Sequence, residues 1–199
     1  MTLTANGRTA DHDLDPAFLN RWSPRAFTGE PMPQDVLMSV LEAARWAPSA
    51  FNVQPWRFVY AHRDTPAWAP LFGVLIEYNQ AWVKNASVLA FILSDRFRRP
   101  PGAEPAPLYS HSFDAGAAWG FLALQAHHLG WAAHGMTGFD HTAAYGALGV
   151  PEADYRIEAA FALGRPADKS VLPEAYQGRE TPSCRDAMAG KVFEGRFGG

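Results

Sequence analysis

The sequence predicts a sandwich of helices and a mixed sheet of about four strands, of either the α+β or the α/β class. Two observations predict it: segments of helical periodicity alternate with short apolar runs typical of strands, and no internal repeat or shift in composition divides the chain. The length of 199 residues fits one domain, since domains commonly span about 100–200 residues. We therefore expect a single domain over residues 1–199, with a loose N-terminal arm over 1–13 and a C-terminal extension over 165–199.

Five segments show the periodicity or the end signals of helices. Asp15 and Pro16 are the expected N-cap and first residue of a short helix. The spacing of apolar residues predicts an amphipathic helix that begins at Pro33 and ends near Ala47, because the residue before Pro48 avoids the α region. Three further helices are predicted over 66–83 (in one or two pieces around Gly73), over 114–129 and, with Asp140 as cap, over 141–147.

Four short segments rich in β-forming residues predict the strands. They cover residues 56–61, 88–93, 131–134 and 157–163. Residues 96–108 are rich in proline and form either an inert surface loop or a lid. The sequence has no clear period from residue 164 onward, a stretch too long for an ordinary loop. Its apolar pair Val192-Phe193 favours wrapping around another surface over disorder.

Composition and charge argue against several classes of protein. The formal net charge is −3, whereas generic nucleic-acid-binding proteins are usually basic. The longest apolar run, Val88 to Leu93, is far shorter than the roughly 20 residues of a membrane-spanning helix. The N-terminus lacks the apolar segment of a secretory signal, and the single cysteine, Cys184, allows no disulfide within the chain. We therefore expect a cytoplasmic protein that binds neither nucleic acid nor membranes.

The motifs of several common sites are absent from the sequence. They include the glycine-rich dinucleotide turn, the nucleotide phosphate loop and the zinc patterns H-E-x-x-H and C-x-x-C. His127 and His128 are adjacent, but neighbouring side chains on a helix point about 100° apart. No metal site is predicted.

The first informative segment is Arg21-Trp22-Ser23-Pro24-Arg25. Two guanidinium groups flank a hydroxyl in a turn-prone stretch, a combination that suits a phosphate or another anion. On local composition alone, a solvated basic loop is the more common explanation.

The second informative segment joins a helix end to a strand between Pro48 and Pro55. Ser49, Asn52 and Gln54 supply donors and acceptors on a backbone that the prolines stiffen. The loop is either the polar edge of a small-ligand site or simply a well-capped connection.

The two segments together carry a family resemblance. The order R-x-S-x-R-x-F, a helix, and then A-P-S-x-x-N-x-Q-P-W runs from Arg21 to Trp56. This order resembles the nitroreductase family of FMN enzymes. Weaker similarities follow in the expected order and extend the resemblance over about residues 18–197; they lie at Tyr78-Asn79, at the turn 135–140, at Gly164-Arg165-Pro166 and at Ser183-Cys184-Arg185.

The resemblance implies an α+β sandwich with a mixed central sheet of about four to five strands flanked by helices. It also implies an obligate homodimer with FMN at the subunit interface, in which the C-terminal extension wraps around the partner. The reaction it implies takes a hydride from NAD(P)H and reduces a small electron-poor substrate, such as a nitroaromatic, a quinone or an activated alkene, in a ping-pong cycle. FMN carries that chemistry, so no side chain is nominated as catalytic.

The resemblance also assigns residues to parts of the cofactor. Arg21 and Ser23 hold the FMN phosphate together with Arg185, and Trp22 contributes mainly through its backbone. Arg25 and Asn79 lie at the pyrimidine edge of the flavin. Those expected from the second subunit are Pro48, Ser49, Ala50 and Asn52. The turn residues expected to face the flavin are Gly135, Thr137 and Gly138, with the Thr137 N–H aimed at N5.

Several alternatives stay open at the level of the sequence. The same fold and flavin could serve reductive dehalogenation or substrate oxidation, or the protein could store or sense FMN without turnover; a cofactor-free structural dimer is the remaining class. Trp82 stands where some relatives carry a basic residue, and Ser183 where some carry a lysine. Cys184 is either a buried bystander, the favoured interpretation, or a thiol of low pKa beside Arg185.

Overall fold

The structure, a computed structural model that describes residues 4–198, alternates helices with strands as the sequence pattern predicts. The strands are β1 (Thr4–Ala5), β2 (Arg8–Thr9), β3 (Trp56–His62), β4 (Val88–Asp95), β5 (Phe97–Arg98), β6 (Ala106–Pro107), β7 (Ala132–Met136) and β8 (Tyr155–Gly164). The helices are α1 (Pro16–Asn20), α2 (Gln34–Arg45), α3 (Trp68–Gly73), α4 (Glu77–Val83), α5 (His111–His128), α6 (His141–Leu148) and α7 (Glu174–Gln177), with 3₁₀ turns at Ala50–Asn52 and Lys169–Val171.

Four of these strands form the central sheet in the order β3-β4-β8-β7. Among the described residues every pairing in this sheet is antiparallel. The α+β class is therefore confirmed, whereas the prediction of a mixed sheet is wrong for this chain. Apolar periodicity predicts that a segment is a strand, but it carries no information about the direction of the neighbouring strand.

Strand β4 lies in the middle of the molecule and is buried along its whole length. Because successive side chains of a strand point to opposite faces, β4 contributes to two hydrophobic layers. One layer contains Val88, Ala90 and Ile92 and is covered by α2 and α5; the other contains Leu89, Phe91 and Leu93 and is covered by α3, α4 and α6. The sheet is thus sandwiched between helices on both faces.

Most element boundaries agree with the sequence prediction to within a few residues. Asp15 and Asp140 cap their helices as expected: the Asp15 carboxylate accepts from the Ala17 N–H, and that of Asp140 from two N–H groups. Residues 66–83 form two helices rather than one. The observed differences are that α5 begins at His111 rather than Asp114, and that Gly135 and Met136 belong to β7 rather than to the following turn.

Both ends of the described chain contain more structure than the pattern suggests, while residues 1–3 of the predicted arm and residue 199 of the predicted extension lie outside the described residues. Residues 4–9 of the predicted loose arm form the β1–β2 hairpin, and Arg8 is buried. The proline-rich stretch 96–108 contains the β5–β6 hairpin. The first part of the C-terminal extension packs on its own chain, where Pro166 forms a β-bridge with Phe27 and Leu172 is buried.

Within residues 4–198 no helix is long and apolar enough to cross a membrane.

Candidate active site

Five arginines converge on one cavity of about 310 Å³, referred to below as the arginine cavity. Its lining contains five of the predicted site residues: Arg21, Trp22, Ser23, Arg25 and Arg185. The lining also contains Ser183, the position where some relatives carry a lysine, and four residues that no sequence motif indicated: Arg8, His134, Arg179 and Thr181. The structure therefore brings the first motif and the C-terminal extension of one chain to the same cavity.

The arginine cavity carries an excess of positive charge. Its lining, as far as the described residues form it, includes no acidic side chain. Burial lowers the pKa of Arg21, and the charges of Arg8 and Arg185 lower it further. Burial and the charge of Arg185 likewise lower the pKa of Arg8. Guanidinium groups that repel one another at close range form a site that an anion stabilises.

The segment that carries Arg21 and Ser23 begins directly at the end of α1. Arg21 is the C-cap of α1 in an extended conformation, and its N–H donates to the Ala17 carbonyl. Further along, the Pro24 carbonyl accepts a hydrogen bond of 2.9 Å from Nδ1 of His134 on β7. Burial is the main cause that lowers the pKa of His134 to about 4. His134 is therefore neutral at pH 7 and adds no charge to the cavity.

Arg8 is a positioning residue that the sequence did not reveal. Its Nε donates to the Ser183 carbonyl at 2.9 Å, and its Nη1 donates to the carbonyls of Leu19 and Arg21 at 2.9 and 2.7 Å. One side chain thus ties the N-terminal hairpin, the end of α1 and the C-terminal extension together. The polar segment around Arg8 has no periodicity or motif that could have indicated this role.

Glu180 is a second residue that the sequence analysis missed. This buried carboxylate lies in the C-terminal extension, and its Oε1 accepts from the backbone N–H groups of Arg25 and Ala26 at 2.7 and 2.8 Å. Its other oxygen is buried without a hydrogen-bond partner among the described residues. Glu180 therefore fastens the extension to the loop that carries Arg21 and Arg25.

We expect Glu180→Ala to lower the free energy of unfolding by about 2 kcal/mol, because two buried N–H groups lose a charged acceptor. Urea denaturation measures this change. Glu180→Gln keeps an oxygen acceptor in place and should lose distinctly less. An effect of Glu180→Ala no larger than that of the exposed-site control Glu174→Ala would contradict the role assigned to Glu180.

A second cavity of about 480 Å³, the Trp119 cavity, shares Ser23 with the arginine cavity. Gly135 and Thr137 of the predicted turn line it, together with Ile92, Met136 and Trp119. A Cβ atom at Gly135 would lie 3.0 Å from the Trp119 ring, so glycine permits this close packing. A charged cavity and a more apolar one thus meet at Ser23.

Asn79 and Gly138 also come together, although neither lines the two cavities just described. Nδ2 of Asn79 donates to the Gly138 carbonyl at 2.8 Å, which leaves Oδ1 as the acceptor of this amide. A Cβ atom at Gly138 would lie 2.6 Å from Nδ2 of Asn79 and 2.7 Å from the Ile76 side chain, so any other residue would displace the ends of these side chains. The pair fixes the backbone immediately after Thr137.

The second motif, between Pro48 and Pro55, forms a tight hydrogen-bonded loop. The Ala50 N–H donates to Asp114 on α5 at 3.2 Å, and the Gln54 N–H donates to the Ser49 hydroxyl at 3.0 Å. Asn52 lines a third cavity, and Pro48, Ser49 and Ala50 line neither the arginine cavity nor the Trp119 cavity. That a second subunit supplies these residues stays a prediction.

The structure also shows the surroundings of Trp82 and Cys184. Trp82 is only 1% exposed and packs against Phe27 and His134, with ring centroids 6.2 and 4.6 Å apart. It therefore supports the cavity wall from behind. Cys184 is exposed, so its interpretation as a buried bystander is wrong. In the part of the chain that the structure describes, no group of three or more His, Cys, Asp and Glu residues is placed to hold a metal ion.

Comparisons with known proteins agree with this architecture. The model of the nitroreductase family matches residues 19–165. An NADH dehydrogenase of Thermus thermophilus is 30% identical over 79% of this chain and 88% of its own length. A solved oxidoreductase containing FMN is 49% identical with a TM-score of 0.95, covering 99% of both chains. A CLA biosynthesis enone reductase of Lactiplantibacillus plantarum is 36% identical over a shorter stretch, 43% of this chain and 39% of its own. The chain belongs to the nitroreductase family.

Proposed function

We propose that this oxidoreductase binds FMN and uses NAD(P)H to reduce small electron-poor acceptors, namely nitroaromatics, quinones or activated alkenes. The observation that carries the proposal is the junction of the arginine cavity with the Trp119 cavity at Ser23. One cavity suits a phosphate and the other a flat apolar ring, and FMN has both groups. The FMN-containing relative and the enone reductase support the cofactor and one class of acceptor.

The residues present fit FMN. A phosphomonoester carries nearly two negative charges at pH 7, and the arginine cavity offers five guanidinium groups with no acidic residue in its described lining. Nε of Arg25 is buried without a hydrogen-bond partner among the described residues. A buried donor left unpaired carries a desolvation penalty, which a bound acceptor atom would remove.

The proposed contacts combine the lining of the two cavities with the family resemblance. Arg21, Ser23 and Arg185 hold the phosphate, and Arg8 and Arg179 add positive charge around it. Trp22 lines the same cavity and is proposed to contribute mainly through its backbone. Other proposed contacts are Arg25 and Asn79 at the pyrimidine edge, Gly135, Thr137 and Gly138 along the ring, and Pro48, Ser49, Ala50 and Asn52 from the second subunit.

The cofactor supplies, when bound, the two-electron transfer from NAD(P)H to the acceptor in a ping-pong order. The chain's own contribution is binding, orientation and electrostatics. The fixed charge of Arg25 favours the more negative state of a group beside it. The Asn79–Gly138 hydrogen bond holds the backbone next to Thr137 rigid, so that the Thr137 N–H keeps one direction.

A homodimer completes the proposed site, because residues 48–52 line neither the arginine cavity nor the Trp119 cavity within one chain. Large apolar side chains are exposed on and near this loop and the start of α5: Trp46, Phe51, Tyr109 and Phe113 are 68%, 82%, 103% and 81% exposed. Clustered apolar exposure of this kind marks an interaction surface. Sedimentation velocity should give the mass of two chains.

We expect Arg25→Ala to lower the midpoint potential of bound FMN by about 30 mV, equivalent to ~1.4 kcal/mol for a two-electron couple. The reason is the loss of a positive charge that favours the reduced state. Anaerobic titration with a reference dye measures the potential. Because Arg25→Lys keeps the positive charge, its midpoint potential should stay close to that of the wild type. An unchanged potential in Arg25→Ala would remove the role assigned to Arg25.

The acceptor class is tested by steady-state oxidation of NADH and NADPH with a nitroaromatic, a quinone and an enone in parallel. The proposal expects acceptor-dependent turnover with at least one of them. A purified, FMN-loaded protein that consumes neither nicotinamide with any of the three would contradict the proposed reaction and leave storage or sensing of FMN as the better explanation.

A further inference from the structure

The third cavity, of about 500 Å³, lies between the loop that begins at Pro48 and the β5–β6 hairpin. We refer to it as the hairpin cavity. Its lining includes two aromatic residues, three arginines, one amide and one carboxylate: Phe51, Phe97, Arg57, Arg98, Arg99, Asn52 and Asp95. Two of its residues already have proposed roles: Asn52 as a cofactor contact and Phe51 as part of the exposed apolar surface near the dimer contact.

The charges of the hairpin cavity are only partly balanced. Arg99 is neutralised by Asp95 at 3.3 Å and by Asp154 at 2.7 Å. For Arg57 and Arg98 the described residues offer no acidic partner within ion-pair distance. The cavity therefore contains two arginines that no ion pair compensates, and Asp95, which pairs with Arg99, is the acidic residue of its described lining.

Both uncompensated arginines are held in place. Nη1 of Arg57 donates to the carbonyls of Gln54 and Trp56 at 2.9 and 2.8 Å, which leaves its other nitrogens as donors. The guanidinium carbon of Arg98 lies 5.0 Å from the centroid of the Phe51 ring. A guanidinium fixed in this way loses little conformational entropy when it binds an anion, and its plane also stacks on aromatic rings.

The backbone beside the cavity is strained. Phe51, Asn52 and Gln54 all have positive φ angles, of 53°, 54° and 54°. Left-handed conformations of residues other than glycine are uncommon and cluster at ligand-binding sites. The strain here presents the exposed Phe51 ring to Arg98.

We propose that the hairpin cavity binds the anionic group of an aromatic ligand of the reaction, with Arg57 and Arg98 as the anion-binding residues. This inference rests on the proposed function, since Asn52 connects the cavity to the cofactor site. Two ligands carry the required chemistry: NADPH through its 2′-phosphate beside adenine, and an aromatic acceptor that bears a carboxylate. NADH lacks the 2′-phosphate, and uncharged acceptors lack the carboxylate.

Direct binding tests the proposal without turnover. Isothermal titration calorimetry measures binding of adenosine 2′,5′-bisphosphate against 5′-AMP, and of 4-nitrobenzoate against nitrobenzene. We expect one of the two anionic probes to bind better than its matched partner, and Arg98→Ala to weaken that probe about tenfold. Arg98→Lys should recover part of the loss, and Arg45→Ala, which removes an arginine on α2 outside the cavity, should leave binding unchanged.

Kinetics then identify the source of the anion. A fall of about tenfold in kcat/KM for NADPH but not NADH in Arg98→Ala assigns the cavity to the donor. A similar fall for 4-nitrobenzoate but not nitrobenzene, with the donor unaffected, assigns it to the acceptor. Arg57→Ala should reproduce whichever pattern is seen.

The proposal is overturned if neither anionic probe binds better than its matched partner, or if Arg98→Ala and Arg57→Ala leave that preference intact. The calorimetric arm needs no reaction, so it separates failure of this proposal from failure of the proposed function. Loss of FMN from the wild-type protein would contradict the proposed function alone, whereas an FMN-loaded protein without anion preference would contradict this inference alone.

Discussion

Arg21→Ala is expected to weaken FMN binding by about ten- to a hundredfold. A hydrogen bond to a charged partner contributes roughly 1.5–3 kcal/mol, and Arg21 lies inside a cavity whose other arginines already repel it. Its Nη1 also donates to the Ser23 hydroxyl at 3.3 Å, so the variant loses the group that orients a second phosphate donor. Fluorescence titration of the apoprotein with FMN measures the dissociation constant.

The matched variants separate charge from geometry. Arg21→Lys keeps the positive charge without the forked donors and should fall between wild type and Arg21→Ala. Arg45→Ala removes an exposed arginine paired with Glu42 and should bind FMN like the wild type. Equal FMN affinity of Arg21→Ala and wild type would show that the phosphate lies elsewhere.

Trp82→Ala is expected to lower the free energy of unfolding by about 3–5 kcal/mol, the usual range for removing a buried aromatic side chain. Trp82 is 1% exposed and fills the space between Phe27 and His134, directly behind the arginine cavity. The cavity left behind should also loosen His134 and its hydrogen bond to Pro24. Urea denaturation of the apoprotein measures the change.

Trp82→Phe serves as the control. Nε1 of Trp82 is buried without a partner among the described residues, so phenylalanine removes an unsatisfied donor while keeping most of the ring. The free energy of unfolding should therefore fall much less in Trp82→Phe than in Trp82→Ala. A loss in Trp82→Ala within the range of surface substitutions, or one no larger than in Trp82→Phe, would contradict the supporting role of this residue.

Local chemistry explains which parts of the fold the sequence could predict. The helix after Pro33, the cap at Asp140 and the buried strand beginning at Val88 all depend on residues close together in the chain, and all three are confirmed. Strand direction depends on partners far away in sequence. That is why the antiparallel character of the sheet was not predicted.

The residues of the candidate site also differ in whether a local sequence pattern could predict them. Arg21, Ser23 and Arg25 lie within one short motif, and the structure brings them to a single cavity. Arg8 and Glu180 contact this motif from opposite ends of the chain through backbone carbonyl and N–H groups. Such contacts leave no local pattern, because any residue type presents the backbone groups that they bind.

The exposed position of Cys184 has a similar explanation. Free cysteine is buried more often than most residues, which favoured a buried position from composition alone. The second half of the C-terminal extension is exposed in the single chain, and Cys184 lies at its start.

The most direct test of a reducible flavin at the arginine cavity is the absorption spectrum of the purified protein, recorded before and after anaerobic addition of NADH and then NADPH. The account predicts flavin bands in the blue and near-ultraviolet that bleach when a nicotinamide is added, with weaker retention of the bands in Arg21→Ala. A protein that stays colourless after reconstitution with FMN would contradict cofactor binding. Bands that neither nicotinamide bleaches would contradict the proposed reaction.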